Sequence, residues 1–138
     1  QFKLGANIFY NIFHIGARMP AGNGQYVWGG GYGIGTVLMV SPKSHLNFEL
    51  MAFHVSENEP WTNELNDIGQ FRFLWNRQLG DSVGFFFGPT FNVMFSQRKN
   101  PDTGAIGSSV VPYNLLNKDI NDHTVFDAWI GANAGFRF

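Results

Sequence analysis

The chain has 138 residues, a formal net charge of −1, four histidines and no cysteine. The length suits one domain, the missing cysteines exclude a disulfide framework and thiolate metal sites, and the near-neutral charge removes the electrostatic case for nucleic acid. Charged residues make up only 14% against about 25% in ordinary soluble domains, while aromatics reach 17%, with 15 Phe and 17 Gly, and no run of about 18 apolar residues marks a transmembrane helix.

In chain order, a first strand is expected over roughly Phe2 to Ala17. Phe2, Leu4, Ala6, Ile8, Tyr10 and Ile12 share one face, and Lys3, Gly5, Asn7, Phe9, Asn11 and Phe13 the other. The phase blurs after Ile12, where a bulge fits. Pro20, Gly22 and Gly24 break the chain before a second strand, roughly Tyr26 to Val40. Its aromatic and branched face runs opposite Gly29, Gly31, Gly33 and Gly35. Four glycines in phase point to a strand bent tightly against neighbouring side chains. A phosphate-cradling loop would need a following helix and a Lys-Ser/Thr pair, and neither is there.

The turn Ser41 to Ser44 leads to a third strand, roughly His45 to Val55, with Leu46, Phe48, Leu50 and Ala52 opposite Asn47, Glu49, Met51 and Phe53. A polar loop precedes a fourth strand, roughly Leu65 to Leu79, with Phe71, Phe73 and Trp75 opposite Gln70, Arg72, Asn76 and Gln78. Leu79 to Ser82 has hairpin-turn chemistry. The fifth strand, roughly Val83 to Gln97, alternates cleanly, and Pro89 within it implies a local defect or bulge. Arg98 to Thr124 reads as one long loop. The last strand, Phe126 to Phe138, is strictly period two: Phe126, Ala128, Ile130, Ala132, Ala134, Phe136 and Phe138 alternate with Asp127, Trp129, Gly131, Asn133, Gly135 and Arg137.

A terminal Phe on the greasy face of such a strand resembles the closing strand of a bacterial outer-membrane β-barrel. The resemblance implies an antiparallel transmembrane β-barrel, all-β, with Phe138, Phe136, Ala134 and Ile130 read by the barrel-insertion machinery. Three other features agree with it. The polar faces carry Gly, Asn, Gln, Thr and Ser with few charges, as a small packed lumen would. The strands are longer than ordinary sheet strands and match the roughly 9–11 residues of a tilted spanning strand. Connections alternate long and short, which puts the short turns and both termini in the periplasm and the loops 19–25, 56–64 and 98–124 outside the cell. Tyr26 and Trp28 then fall at the outer interface and Trp75 at the inner one.

Six strands are visible, whereas single-chain barrels start at eight. The expectation is therefore one barrel domain over 1–138 that is the C-terminal part of a longer chain, or a miscount with a hairpin hidden within 98–124 or at the end of the first strand. Partner chains supplying strands are a third solution. Gln1 opens without a secretory leader, which implies a leader already removed or an upstream continuation. The expected function is an integral outer-membrane anchor or binding component. Its partners would be outer-membrane lipid and lipopolysaccharide, the insertion machinery and other outer-membrane subunits, with no cofactor. A soluble ligand-binding barrel is a further alternative, disfavoured by the low charge and terminal Phe.

His54 and Ser56 share a strand face in the lipid-facing phase at the outer end of strand three. They loosely resemble the His-x-Ser pair of the lipid A 3-O-deacylase family. The resemblance implies Ser56 as nucleophile, His54 as base and Glu64 as orienting carboxylate. Two departures stand against it: Glu57 occupies the family's Asn position, and Glu64 lies closer to the Ser than the family's Glu. The ordinary alternative is a pair of rim residues. Glu57, Glu59, Glu64 and Asp67 read as a solvated acidic loop rather than a Ca²⁺ or Mg²⁺ site, since no EF-hand spacing occurs. His45, Glu49 and Arg72 are expected together as a polar plug. His14 and His123 lack zinc-ligand spacing.

Overall fold

Period-two segments separated by turn residues become strands, and a computed structural model describes them over residues 2–5, 8–18, 26–57, 65–97, 113 and 115–137. The elements are β1 (Phe2–Gly5), β2 (Phe9–Arg18), β3 (Val27–Ser41), β4 (Ser44–Glu57), β5 (Asn66–Gln78), β6 (Gly84–Gln97), β7 (Leu116–Asn121) and β8 (Thr124–Arg137). They form one antiparallel sheet in the order β1-β2-β3-β4-β5-β6-β8-β7. No helix long and apolar enough to cross a membrane occurs among the described residues.

Two corrections raise the strand number from six to eight. The expected first strand is a hairpin: the chain reverses between Gly5 and Phe9, and Leu4 pairs with Asn11. That reversal swaps the faces, so Phe9, Phe13 and Ile15 are exposed while Tyr10 and Ile12 are buried. The expected long loop contains β7, which forms a tight hairpin with β8 through the pair Asn121↔Thr124. Asn121 Oδ1 accepts from the His123 amide at 2.9 Å, the side-chain-to-backbone bond that makes Asn a turn residue. A third correction concerns closure: β1 and β7 are the two edges of an open sheet, not neighbours in a closed barrel.

Pro89 interrupts the β5–β6 ladder between Arg72↔Thr90 and Trp75↔Phe87, with no register shift. The defect is therefore a gap rather than a bulge. Gly88 lies in the same gap, where a Cβ would collide with the Phe73 backbone.

The sheet is curled, and the glycine stripe of β3 marks where. Cross-strand rows run Tyr10↔Gly35↔Glu49, Ile12↔Gly33↔Met51 and His14↔Gly31↔Phe53. With no side chain on β3, residues of β2 meet those of β4 directly above it. Tyr10, Ile12 and Met51 form the buried apolar cluster, and the His14 ring meets Phe53 edge-on at 5.1 Å. A Cβ on Gly33 would stand 2.7 Å from Met51 Cγ, and one on Gly31 2.7 Å from Phe53. The stripe is thus a strand bent against its neighbours' side chains.

The two faces are inverted relative to a soluble sheet. On the convex face Ile15 is 84%, Phe9 70% and Phe136 62% exposed. The concave face buries Asn47, Glu49, Asn66, Arg72, Asn76, Thr90, Asn92, Ser96 and Asp127.

Candidate functional site

The chemistry-bearing side chains converge on the concave face around Glu49, which is wholly buried. Its row runs Tyr10↔Gly35↔Glu49↔Arg72↔Thr90↔Gly131, so one level of the sheet draws on β2, β3, β4, β5, β6 and β8. Tyr10 reaches over Gly35 and donates its hydroxyl proton to Glu49 Oε1 at 2.5 Å. Asn47 Nδ2 donates to the Tyr10 oxygen at 2.9 Å. Lys3 of β1 forms an ion pair with the same carboxylate, and its ammonium stands 4.8 Å from the Tyr10 ring centroid. Arg72 Nε lies 3.2 Å from Glu49 Oε2. A carboxylate buried in this way needs both counter-charge and donors, and the site provides two cations and a phenol.

Above this cluster lies a cavity of about 520 Å³, lined by His14, Gln70, Arg72, Asn92 and Trp129 among others. Gln70 Nε2 donates to Asn92 Oδ1 at 2.5 Å. The Asn92 amide nitrogen reaches Thr90 Oγ1 at 3.3 Å and the Trp129 carbonyl at 3.4 Å. These planar amides satisfy one another, so this wall of the interior is a cross-linked polar lining. Below it, Lys3, Arg72 and Arg137 line a second cavity of about 420 Å³.

Of the expected polar plug, the structure joins Glu49 and Arg72, while His45 sits apart near Asn76, Arg77 and Arg137. Sequence reasoning placed Lys3 on the polar face but not beside Glu49, and it missed Tyr10. Unbroken alternation from Phe2 to Ile12 reads as one strand with Tyr10 on its greasy side, whereas the β1–β2 hairpin turns Tyr10 inward. A Tyr on one strand, level with a Gly on the next and a Glu on the one after, is the signal that could have found Tyr10.

His54 Nδ1 lies 2.9 Å from Asp67 Oδ1, on the neighbouring strand. The carboxylate that meets His54 is therefore Asp67, while Glu64 lies outside the described residues. Ser56 is 1% exposed. Glu57 ends β4, and Glu59 falls outside the described residues. Among the described residues no group of three His, Asp or Glu is placed to hold a metal. His123 sits in the β7–β8 turn.

Of the residues of the expected insertion signal, Ile130, Ala134 and Phe136 all lie on the exposed face of β8, and Phe138 lies outside the described residues. Tyr26 and Trp28 stand exposed at the loop end of β3. Trp75 stands near the opposite, turn end of β5, its ring 5.3 Å from that of Phe87. The expected aromatic positions are thus at opposite ends of the strands.

No family model, no curated protein and no solved structure matches this chain.

Proposed function

We propose that the chain forms the lipid-embedded wall of a bacterial outer-membrane β-barrel and acts as an anchor or binding component whose outer loops meet a partner. The observation that carries this reading is the inversion of the two faces. Large apolar side chains such as Ile15, Leu50, Phe91 and Phe136 are exposed, while Glu49, Asn66, Thr90 and Asp127 are buried. Water would impose the opposite arrangement, whereas hydrocarbon outside and a polar lumen inside require this one. Strand lengths of 13 to 15 residues from β3 to β6 suit a tilted crossing. The Glu49 cluster stands between the two cavities as a polar plug, so the chain serves as a wall rather than a wide channel. The test is extraction from cells expressing the native protein. A requirement for detergent and a heat-dependent gel shift are expected. A protein that stays in the aqueous fraction and shows no shift would return the reading to a soluble β domain.

One specific observation favours a second reading, hydrolysis of lipid A acyl esters. Asp67 holds His54 at 2.9 Å, the orienting contact that a His base needs, and Ser56 follows on the same strand. Burial of Ser56 opposes it, because a nucleophile must be reached. Ser56→Ala should alter the lipid A acylation pattern in cells if this reading holds, and an unchanged pattern ends it.

A further inference from the structure

The charged side chains are divided unevenly between the two ends of the sheet. On the turn side of the Glu49 row, Lys3, Arg72 and Arg137 line one cavity of about 420 Å³. They come from β1, β5 and β8, so three strands aim a cation at the same space. Arg137 also lines a smaller cleft beside it, together with His45 and Arg77. Among the described residues no carboxylate lines either space. The described acidic residues on this half are Glu49 itself and Asp81, which is exposed in the β5–β6 turn. Glu57, Asp67, Asp119 and Asp127 all belong to the loop end, as their strand partners show.

Glu49 already pairs with Lys3 and Arg72. Three positive charges therefore meet one negative charge, and the cavity keeps an excess of two. Arg137 is the side chain left over, with no ion pair among the described residues. It stands in the inward phase of β8 with Gly131, Asn133 and Gly135. The Phe86 ring lies over Gly135, where a Cβ would stand 2.7 Å from it, and walls the cavity on that side. Like charges gathered around one space repel, and the repulsion grows where water is displaced, so an anion between them is stabilised.

The size of the excess selects the anion. Phosphate monoesters carry about −1.5 to −2 near neutral pH, and guanidinium groups present paired N–H donors to phosphate oxygens. A phosphodiester, such as a phospholipid head group, has a single charge and leaves the excess half matched. The volume also falls within the roughly 300–1,000 Å³ usual for small-ligand sites. We propose that the turn-end cavity lined by Lys3, Arg72 and Arg137 binds a soluble phosphate dianion, either inorganic phosphate or a small phosphate monoester. Arg137, exposed at the end of β8, meets the anion first, and Lys3 and Arg72 hold it from the Glu49 side. The site is built on the concave face alone, so it goes beyond the membrane reading and does not depend on it.

The test is calorimetric titration of the native, full-length protein with inorganic phosphate and, separately, with glycerol 3-phosphate. Both are run at about pH 8, where each anion is doubly charged, and sodium chloride keeps the ionic strength constant. At least one of the two should bind about tenfold or more tightly than chloride, and the tighter of them names the source. Arg137→Gln should weaken that binding about tenfold or more, the effect of losing a charge-assisted hydrogen bond. Lys118→Gln, a cation removed at the loop end on β7, should leave it unchanged. Arg137 makes no ion pair, so the variant is expected to keep the wild-type unfolding transition, which is measured alongside. Neither anion binding more tightly than chloride, or affinity that Arg137→Gln leaves unchanged, would overturn the site. Binding to phosphatidylglycerol vesicles with none to either solute would overturn it in favour of a lipid head group. Phosphate binding by a protein that needs no detergent keeps the site and removes the membrane reading alone.

Discussion

Tyr10, Gly35 and Glu49 act as one unit, because each is placed by the other two. Glu49 needs donors in a buried position, Tyr10 supplies one at 2.5 Å, and Gly35 leaves the space through which the phenol passes. A Cβ on Gly35 would clash with the Tyr10 ring, 2.4 Å from its Cζ. Gly35→Val should therefore destabilise the protein by about 1–3 kcal/mol, the usual cost of overpacking. Gly80→Ala, in a turn where a Cβ meets nothing within 4 Å, should stay within about ±0.5 kcal/mol. Urea unfolding in lipid vesicles measures both. Removing the carboxylate is a harsher change. Glu49→Leu strands Lys3 and Arg72 beside an apolar group, and losing one partner of a buried ion pair costs about 3–5 kcal/mol. The same unfolding assay should register that loss. An effect under about 1 kcal/mol would mean that the cluster is hydrated rather than buried.

Among the elements, β6 gives the sharpest contrast between its faces. Thr90, Asn92, Met94 and Ser96 are buried, and Phe87, Phe91 and Phe95 are exposed. If the exposed side meets hydrocarbon, a cation there has a depth-dependent cost of about 2–4 kcal/mol at the midplane and about 0–1 near the interface. Phe91→Lys at the strand centre should then cost more than Phe95→Lys near its loop end, in unfolding or in the yield of assembled protein. Equal and negligible effects would indicate a water-facing surface. The elements also set how far the sequence could be read. β3, β4, β5, β6 and β8 were legible because each carries a long period-two run. β1 and β7 are short edge strands of four and six residues. Continued alternation across Ala6 and Asn7 masked the first reversal, since period two does not record the direction of the chain. In β7 all residues are exposed, so no face is selected and no alternation is imposed. Pro89 was legible as a defect, but its form depended on Gly88 and the Phe73 backbone beside it.

At the scale of the whole molecule, the polar plug and the apolar wall are consequences of one curvature. Three glycines of β3 bring β2 over β4, and the sheet then curls around the Glu49 row. If the proposed outer-membrane reading holds, Phe136→Asp, on the exposed face of β8, should lower the amount of protein in the membrane fraction, and unchanged insertion would count against that reading. The sequence by itself determined the antiparallel all-β class, the five longest strands, the alternation of their faces and the short turns. These are local properties, written in period two and turn chemistry. Only the tertiary structure decided which residues of β1 and β2 face inward, that Lys3 and Tyr10 complete the Glu49 cluster, that Asp67 meets His54, and that β1 and β7 are the unjoined edges of an open sheet. Those outcomes depend on strand direction and register between segments far apart in the chain, which local alternation does not encode.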